Sequence, residues 1–405
     1  MFRTKSAVLG QPYYANYWLS RVLSGTSFQM LAVAIGWQMY ELTGDAYSLG
    51  LVGLAQFLPM VLLTFVVGHV ADRFDRRLIV AWCQTSESVV AALLLVGSME
   101  GWLGRGEILA AAALLGAFRA FEGPASSALL PQLVPKNVLQ QAVSWSTSAG
   151  QTAQIIGPAL GGLLITAGAN YVYAASAVAL LAGGLLTFVI RVTQSRQKVG
   201  PATLRSVFDG LIFIFRKPVI LGTISLDLFA VLLGGATALL PIFAQDILRT
   251  GAWGLGLMRT APAVGALLMS FVIGYYPLRR AVGPILFAAL AVFGLSTMLF
   301  AVSKSLLLSV VALLLIGASD VVSVVIRSSL VQLQTPDEMR GRVNAVNSLF
   351  IGTSNQLGEF ESGTLAGLLG TVPAAFIGGL GTLAVAGLWM VLFPSLRRLR
   401  SLSEQ

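Results

Sequence analysis

Charge is what this sequence has least of. Only 11% of its 405 residues are Asp, Glu, Lys or Arg, against about 25% in ordinary soluble domains, while 56% are apolar. A water-soluble globule of that length could not cover itself, which excludes a soluble enzyme, a disordered chain and a single-anchor protein. Cysteine and histidine are scarcer still. One of each, Cys83 and His69, cannot build a disulfide framework, a Cys/His zinc cluster or a haem pair, so no metal or redox cofactor is called for. The chain also lacks a phosphate-binding G-x-x-x-x-G-K-S/T loop, a G-x-S-x-G elbow and an H-E-x-x-H pair, so any work it does draws on an ion or substrate gradient.

What is present is apolar helix. At about 20 residues per crossing, a dozen crossings take about 240 residues and leave short loops and one longer linker. Apolar runs between polar breaks fall at roughly 13–40, 46–70, 78–99, 107–130, 137–167, 171–191, 218–247, 252–276, 282–302, 305–330, 341–369 and 373–394. The expected fold is an all-α polytopic membrane protein with twelve transmembrane helices in two pseudo-symmetric six-helix bundles. The N-terminus carries Arg3 and Lys5 and runs through Pro12 and Tyr13 into a full span without a small-residue cleavage site, so it reads as retained. With that end cytoplasmic, inner loops and tails hold 19 of the 26 basic residues, and outer loops only Arg105, Arg249 and Lys304. This asymmetry puts both termini in the cytoplasm. The net charge of +9 is therefore topological and suits anionic lipid, with no nucleic-acid partner implied. A monomer is expected.

The polar stretch from 192 to 217 separates an N-terminal bundle, 1–191, from a C-terminal bundle and tail, 218–405. Within it, Leu204, Val207, Phe208, Leu211 and Phe215 fall on one face of an expected interfacial amphipathic helix. The halves look like copies. A shift of 206 aligns Pro12 with Pro218, Arg21 with Asp227, Leu49-Gly50-Leu51 with Leu255-Gly256-Leu257, Gly68 with Gly274 and Arg73 with Arg279. A shift of 200 aligns Leu130, Gln132, Leu133 and Val143 with Leu330, Gln332, Leu333 and Val343. Parallel six-helix repeats build transporters with a site near the midplane.

Several motifs then resemble one family. Gly68-His-Val-Ala-Asp72-Arg73-Phe-Asp-Arg76-Arg77 is similar to the G-x-x-x-D-R-x-G-R-R loop of the major facilitator superfamily, with Asp75 at the usual Gly. Arg119-Ala-Phe-Glu122-Gly123 resembles its R-x-x-Q-G motif, with Glu122 for Gln. Gly150 followed by Gly157-Pro158-Ala-Leu-Gly161-Gly162 resembles the G-P-x-x-G-G signature of its drug:proton antiporter branches. Residues 123–135 and 332–344 look like the subgroup of siderophore exporters, which also contains drug exporters. The resemblance covers essentially the whole chain and implies a small-molecule exporter working by alternating access, with helix 5 restricting ion leak. An importer of sugars or metabolites is the nearest alternative within transport, and a non-transporting scaffold or receptor the alternative outside it.

Ionisable residues inside the spans carry the strongest functional signal, because each costs at least ~2.5 kcal/mol at mid-bilayer unless paired or wet. Arg21 and Asp227 occupy equivalent positions, and Arg119 matches Asp320 at a shift of 201, so opposite charges are expected to face each other across the copies. Arg119 and Glu122 are one turn apart, and Asp320 and Arg327 two turns apart on one face. Pairing and unpairing with an Arg changes a carboxylate's proton affinity as bundles rock, which makes Asp227, Glu122 or Asp320 expected proton carriers in an antiport mechanism. The same residues also suit static salt bridges that fix helix register. Glu87, Glu359 and Glu361 read as weaker, lipid- or loop-facing positions. Gly157, Pro158, Gly161 and Gly162 allow close backbone approach, and Trp18, Phe28, Met30, Trp37, Trp145, Phe229 and Phe243 are cavity candidates.

In the loop, Asp72 can sit against a neighbouring helix N-terminus, a contact of ~0.3–1 kcal/mol that latches one conformation. The family resemblance implies helix 11 as its partner. Asp72→Asn is accordingly expected to lower the transport rate at unchanged protein level; wild-type transport by that variant removes the latch.

Overall fold

A computed structural model describes residues 8, 10–191, 211–276, 278 and 280–401. All regular structure among them is helical: α1 (Tyr14–Thr43), α2 (Ala46–Arg73), α3 (Arg76–Glu100), α4 (Arg105–Leu133), α5 (Leu139–Ile165), α6 (Ala169–Val189), α7 (Pro218–Leu233), α8 (Gly251–Tyr275), α9 (Val282–Val302), α10 (Leu306–Gln334), α11 (Asp337–Leu369), α12 (Thr371–Leu392) and a single turn, α13 (Pro394–Arg397). Among the described residues, nine helical segments are long and apolar enough to cross a bilayer. α1, α5 and α11 are not among the nine. Their Ser, Thr, Gln and Asn residues dilute the apolar character, and these three helices supply polar cavity walls.

The chain divides into two compact units, Met1–Thr43 with Ala55–Pro201, and Gly44–Leu54 with Ala202–Gln405. Residues 44–54, including the first turns of α2, group with the second unit because they pack against α11. The Tyr47 and Phe360 rings are 6.2 Å apart, and a Cβ on Gly363 would lie 2.6 Å from the Gly50 backbone.

The internal repeat is visible where helices cross. A Cβ on Gly157 of α5 would lie 2.9 Å from the Thr26 carbonyl of α1, and one on Gly358 of α11 would lie 2.9 Å from the Leu232 carbonyl of α7. Thr26 and Leu232 are 206 apart, Gly157 and Gly358 are 201 apart. Likewise Gly116 of α4 abuts the Gln56 carbonyl of α2, and Gly317 of α10 abuts the Pro262 carbonyl of α8, again at separations of 201 and 206. The same two crossings, with bare backbone against backbone, therefore recur in each unit. Such contacts are how membrane helices gain packing energy without a hydrophobic driving force.

The copies diverge at Gly234-Gly235. The sequence alone predicts one uninterrupted span over 218–247, but α7 stops at Leu233 and continues as a 3₁₀ turn (Ala236–Leu239), one α-helical turn (Leu240–Ile242) and a π turn (Phe243–Ile247). Two consecutive glycines weaken the winding and Pro241 removes a donor. Gly235 also lies against the Gly358 backbone.

Of the linker helix, residues 203–210 fall outside the described residues. Its described end turns Ile214 fully inward, with Leu211 against the same apolar cluster of Ile220, Ile224, Val331, Val343 and Val346. Phe215 is exposed, on a different side from Ile214. The first unit's core holds Tyr14, Tyr17, Leu129, Leu130 and Ile190; the second's holds Leu226, Leu286, Phe287, Ile326 and Trp389.

Gly116→Ala and Gly317→Ala should each lower stability by about 1–3 kcal/mol through forced backbone separation. Gly387→Ala, where an added Cβ meets nothing within 4 Å, should be neutral or mildly stabilising. Thermal unfolding of the purified full-length variants measures both.

Candidate functional site

In the first unit the polar residues of α1, α3 and α4 converge. Glu122 is 5% exposed, and each of its oxygens is occupied. Oε1 accepts from Ser24 Oγ at 2.6 Å and from Gln84 Nε2 at 2.8 Å. Oε2 accepts from Arg119 Nη1, so the one-turn spacing on α4 does make the ion pair. Arg119 Nη1 also donates to Ser24 Oγ at 3.0 Å, and its guanidinium stands 4.5 Å above the Phe28 ring centroid. Behind them Ser20 Oγ donates to Gln84 Oε1 at 3.0 Å and lies 2.7 Å from the Thr187 hydroxyl of α6. Ser20 and Ser24 are one turn apart on α1, so one helix face reaches both Gln84 and Glu122.

This cluster forms part of the wall of a cavity of about 330 Å³, which Arg21, Phe28, Gln29, Gly150 and Gln154 also line. Arg21 Nη1 donates to Ser126 Oγ at 3.2 Å; within the first unit no carboxylate of a described residue is in ion-pair range of it. A Cβ on Gly150 would meet nothing within 4 Å, consistent with its place on the cavity wall. Gly157 and Gly161 instead hold α5 against α1, at Thr26, Gln29, Met30 and Val33, and Pro158 and Gly162 are buried. Of the aromatic and Met candidates, Phe28 lines this cavity. Met30 and Phe243 are core, Trp18 and Trp145 pair edge to face at 6.2 Å, and Phe229 packs on Trp389.

In the second unit Asp227 of α7 forms its ion pair with Arg327 of α10. Asp320, two turns before Arg327 on α10, stands 4.0 Å from the same guanidinium. Each of these ion pairs joins charges of one unit. Asp227, Asp320 and Arg327 line a cavity of about 200 Å³ with Thr223, Ser328, Asn347 and Asn355.

Glu87, expected at a lipid- or loop-facing position, is placed differently. It is 1% exposed and inside the first unit, because α3 packs against α4 and α6 on the face that carries Gln84, Glu87 and Ser88. Glu359 sits beneath Gly53 and interacts electrostatically with Arg259, so it too has a protein neighbourhood. Gln84 and Ser24 were not anticipated from the sequence; the signal for them is one-turn spacing of polar residues, Gln84 with Glu87 and Ser88 on α3 and Ser20 with Ser24 on α1.

The motif loop divides. The side chains of Gly68 and Asp72 lie outside the described residues, and Arg73 is exposed. Asp75, the departure from the family's Gly, is the N-cap of α3 and accepts from the Arg77 backbone. Arg76 donates to the Ala128 carbonyl at 3.1 Å and Arg77 to the Ile190 carbonyl at 2.6 Å, so both arginines tie down α4 and the end of α6.

Arg327 serves two acids, which sets an asymmetry. Arg327→Met leaves Asp227 buried without its cation and should cost about 3–5 kcal/mol. Asp227→Asn should cost less, because Asp320 remains beside Arg327. Replacing Arg327 and Asp227 together by apolar residues should recover much of the loss, as measured by a double-mutant cycle on thermal stability.

Comparison with known proteins agrees with this architecture. A family described as transmembrane secretion effector matches residues 3–404. The enterobactin exporter of Salmonella typhi is 27% identical over 417 residues, covering 96% of this chain and 94% of that protein; that of Escherichia coli O1:K1 is 26% identical, covering 97% and 95%. Among solved structures, a bacterial homologue of the iron transporter ferroportin superposes with a TM-score of 0.72 at 18% identity, covering 98% of this chain and all of that one. A bacterial homologue of the lysosomal transporter Spinster gives 0.74 at 12% identity, covering 95% of each. With nine apolar spans, two glycine-crossed units and a match along nearly its whole length, the chain is a multi-pass membrane transporter, not an enzyme, and belongs to the transmembrane secretion effector family of the major facilitator superfamily.

Proposed function

We propose that this protein exports an amphipathic small molecule, siderophore-like or drug-like, across the bacterial cytoplasmic membrane by proton antiport and alternating access. In this reading twelve helices form two six-helix bundles of residues 1–191 and 218–405, joined by the linker, with both termini cytoplasmic. The protein acts as a monomer on a small-molecule substrate, with protons as coupling ion.

The observation that carries the reading is the cavity of about 330 Å³ in the first unit, with Arg21 and the Arg119–Glu122 pair on its wall. A charge pair inside a span, with its carboxylate buried and its guanidinium on a cavity wall, is costly for a scaffold and useful to a carrier. Arg21 has no carboxylate of its own among the described residues of that unit, and Phe28, Gln29 and Gln154 add an aromatic face and amide groups. Two guanidiniums against one carboxylate suit a ligand with an anionic, aromatic end. That chemistry is consistent with the enterobactin exporters that the chain resembles. The 200 Å³ cavity of the second unit has the opposite balance, two acids to one Arg, and so suits protons or cationic groups. Small-residue packing of α5 on α1 supports the antiporter-like role of Gly157, Pro158, Gly161 and Gly162.

Siderophore content of the medium should fall in cells lacking the gene and return on complementation. In energised vesicles, collapse of the pH gradient should abolish export; export indifferent to that collapse removes the proton claim. Arg21→Gln should weaken export of anionic substrates more than of cationic dyes.

A further inference from the structure

We propose that Glu87 is a proton-binding site, and that it forms with Arg119 and Glu122 a cluster of two carboxyls and one guanidinium that holds one exchangeable proton. Glu87 is 1% exposed and its Oε1 has no hydrogen-bond partner. The oxygens of Glu122, by contrast, receive Ser24, Gln84 and Arg119. The cation of the cluster is already committed to Glu122.

Spacing places Glu87 next to that pair. Gln84 donates to Glu122, and Glu87 lies three residues beyond Gln84 on α3, about 4.5 Å along the axis. Arg119 lies three residues before Glu122 on α4. Glu87 interacts electrostatically with both Glu122 and Arg119. Among the described residues of the other elements of the first unit it faces no charge. α1 presents Ser20 and Ser24 to this layer, while its Arg21 is turned to Ser126. α6 carries only the tyrosines Tyr171 and Tyr173 as ionisable groups, and Tyr173 donates to Gln38. α2 has no charged residue between Ala46 and Gly68, and on α3 itself the nearest ionisable group is Cys83.

An anionic Glu87 here would be a second buried carboxylate with no donor and no cation of its own, which the surroundings do not support. Bound to a proton, the carboxyl is neutral and the cluster balances. Release breaks the O–H bond, passes the proton to a water molecule, leaves the electron pair on the carboxylate and requires Arg119 to be shared between Glu87 and Glu122. Motion of α3 against α4, or a ligand that draws Arg119 into the cavity, therefore changes proton occupancy at Glu87. The site stands on the cluster's own charge; its place in transport rests on the antiport reading.

Infrared spectroscopy of the full-length protein in phosphatidylcholine nanodiscs tests the assignment without any substrate. At neutral pH the C=O stretch of a protonated carboxyl should be present, lost in Glu87→Gln and shifted in Glu87→Asp. Arg119→Gln should add a second such band. A protonated-carboxyl spectrum unchanged in both Glu87 variants overturns the proposal, and Glu87→Asp decides it should Glu87→Gln fail to fold. Export that ignores the pH gradient while Glu87→Gln still removes the band leaves the proton site standing and ends only the antiport reading.

Discussion

The cost of charge away from water organises this protein. At no less than ~2.5 kcal/mol for an unpaired ion at the middle of a bilayer, every ionisable residue in a span must have a partner, a wet wall or a proton. Glu122 has a full set of donors, Asp227 has Arg327, and Arg119 and Asp320 each reach a cavity as well as a counter-charge. The cavities and the ion pairs are thus one construction seen from two sides. Polar residues that hold the charges also line the spaces, and helices that supply them forfeit the apolar composition of an ordinary span.

That trade explains what was legible in the sequence. α2, α3, α4, α6 and the helices of the second unit other than α11 announce themselves by long apolar runs, and the fold class follows from composition alone. Arg119–Glu122 and Asp320–Arg327 were legible because both members sit on one helix, where spacing fixes proximity. Asp227–Arg327 was not, since two residues 100 apart in sequence meet only through the packing of α7 on α10. Glu87 was misjudged because hydropathy says a residue lies in a span without saying which face it takes. The polar neighbours Gln84 and Ser88 on α3 were the clue to an inward face.

Duplication is written more firmly in the glycines than in the charges. Gly116 and Gly317, like Gly157 and Gly358, keep equivalent backbone contacts, whereas Arg21 and Arg119 of the first copy became Asp227 and Asp320 in the second. Contacts without side chains tolerate almost no change in size, so they persist as scaffolding. Charges facing a cavity are freer to invert, which gives one copy an excess of cation and the other an excess of acid.

The break in α7 gives the second copy a mechanical character that its twin lacks. α1 winds without interruption from Tyr14 to Thr43, while α7 passes through 3₁₀ and π turns after Gly234, geometries held by poorer hydrogen bonds than an α-turn. Under the same bending load the rod formed by α1 resists along its length, whereas α7 yields at one level. Deformation is then concentrated beside Gly235 and Gly358, and elastic symmetry is lost even though the plan of the two copies is shared.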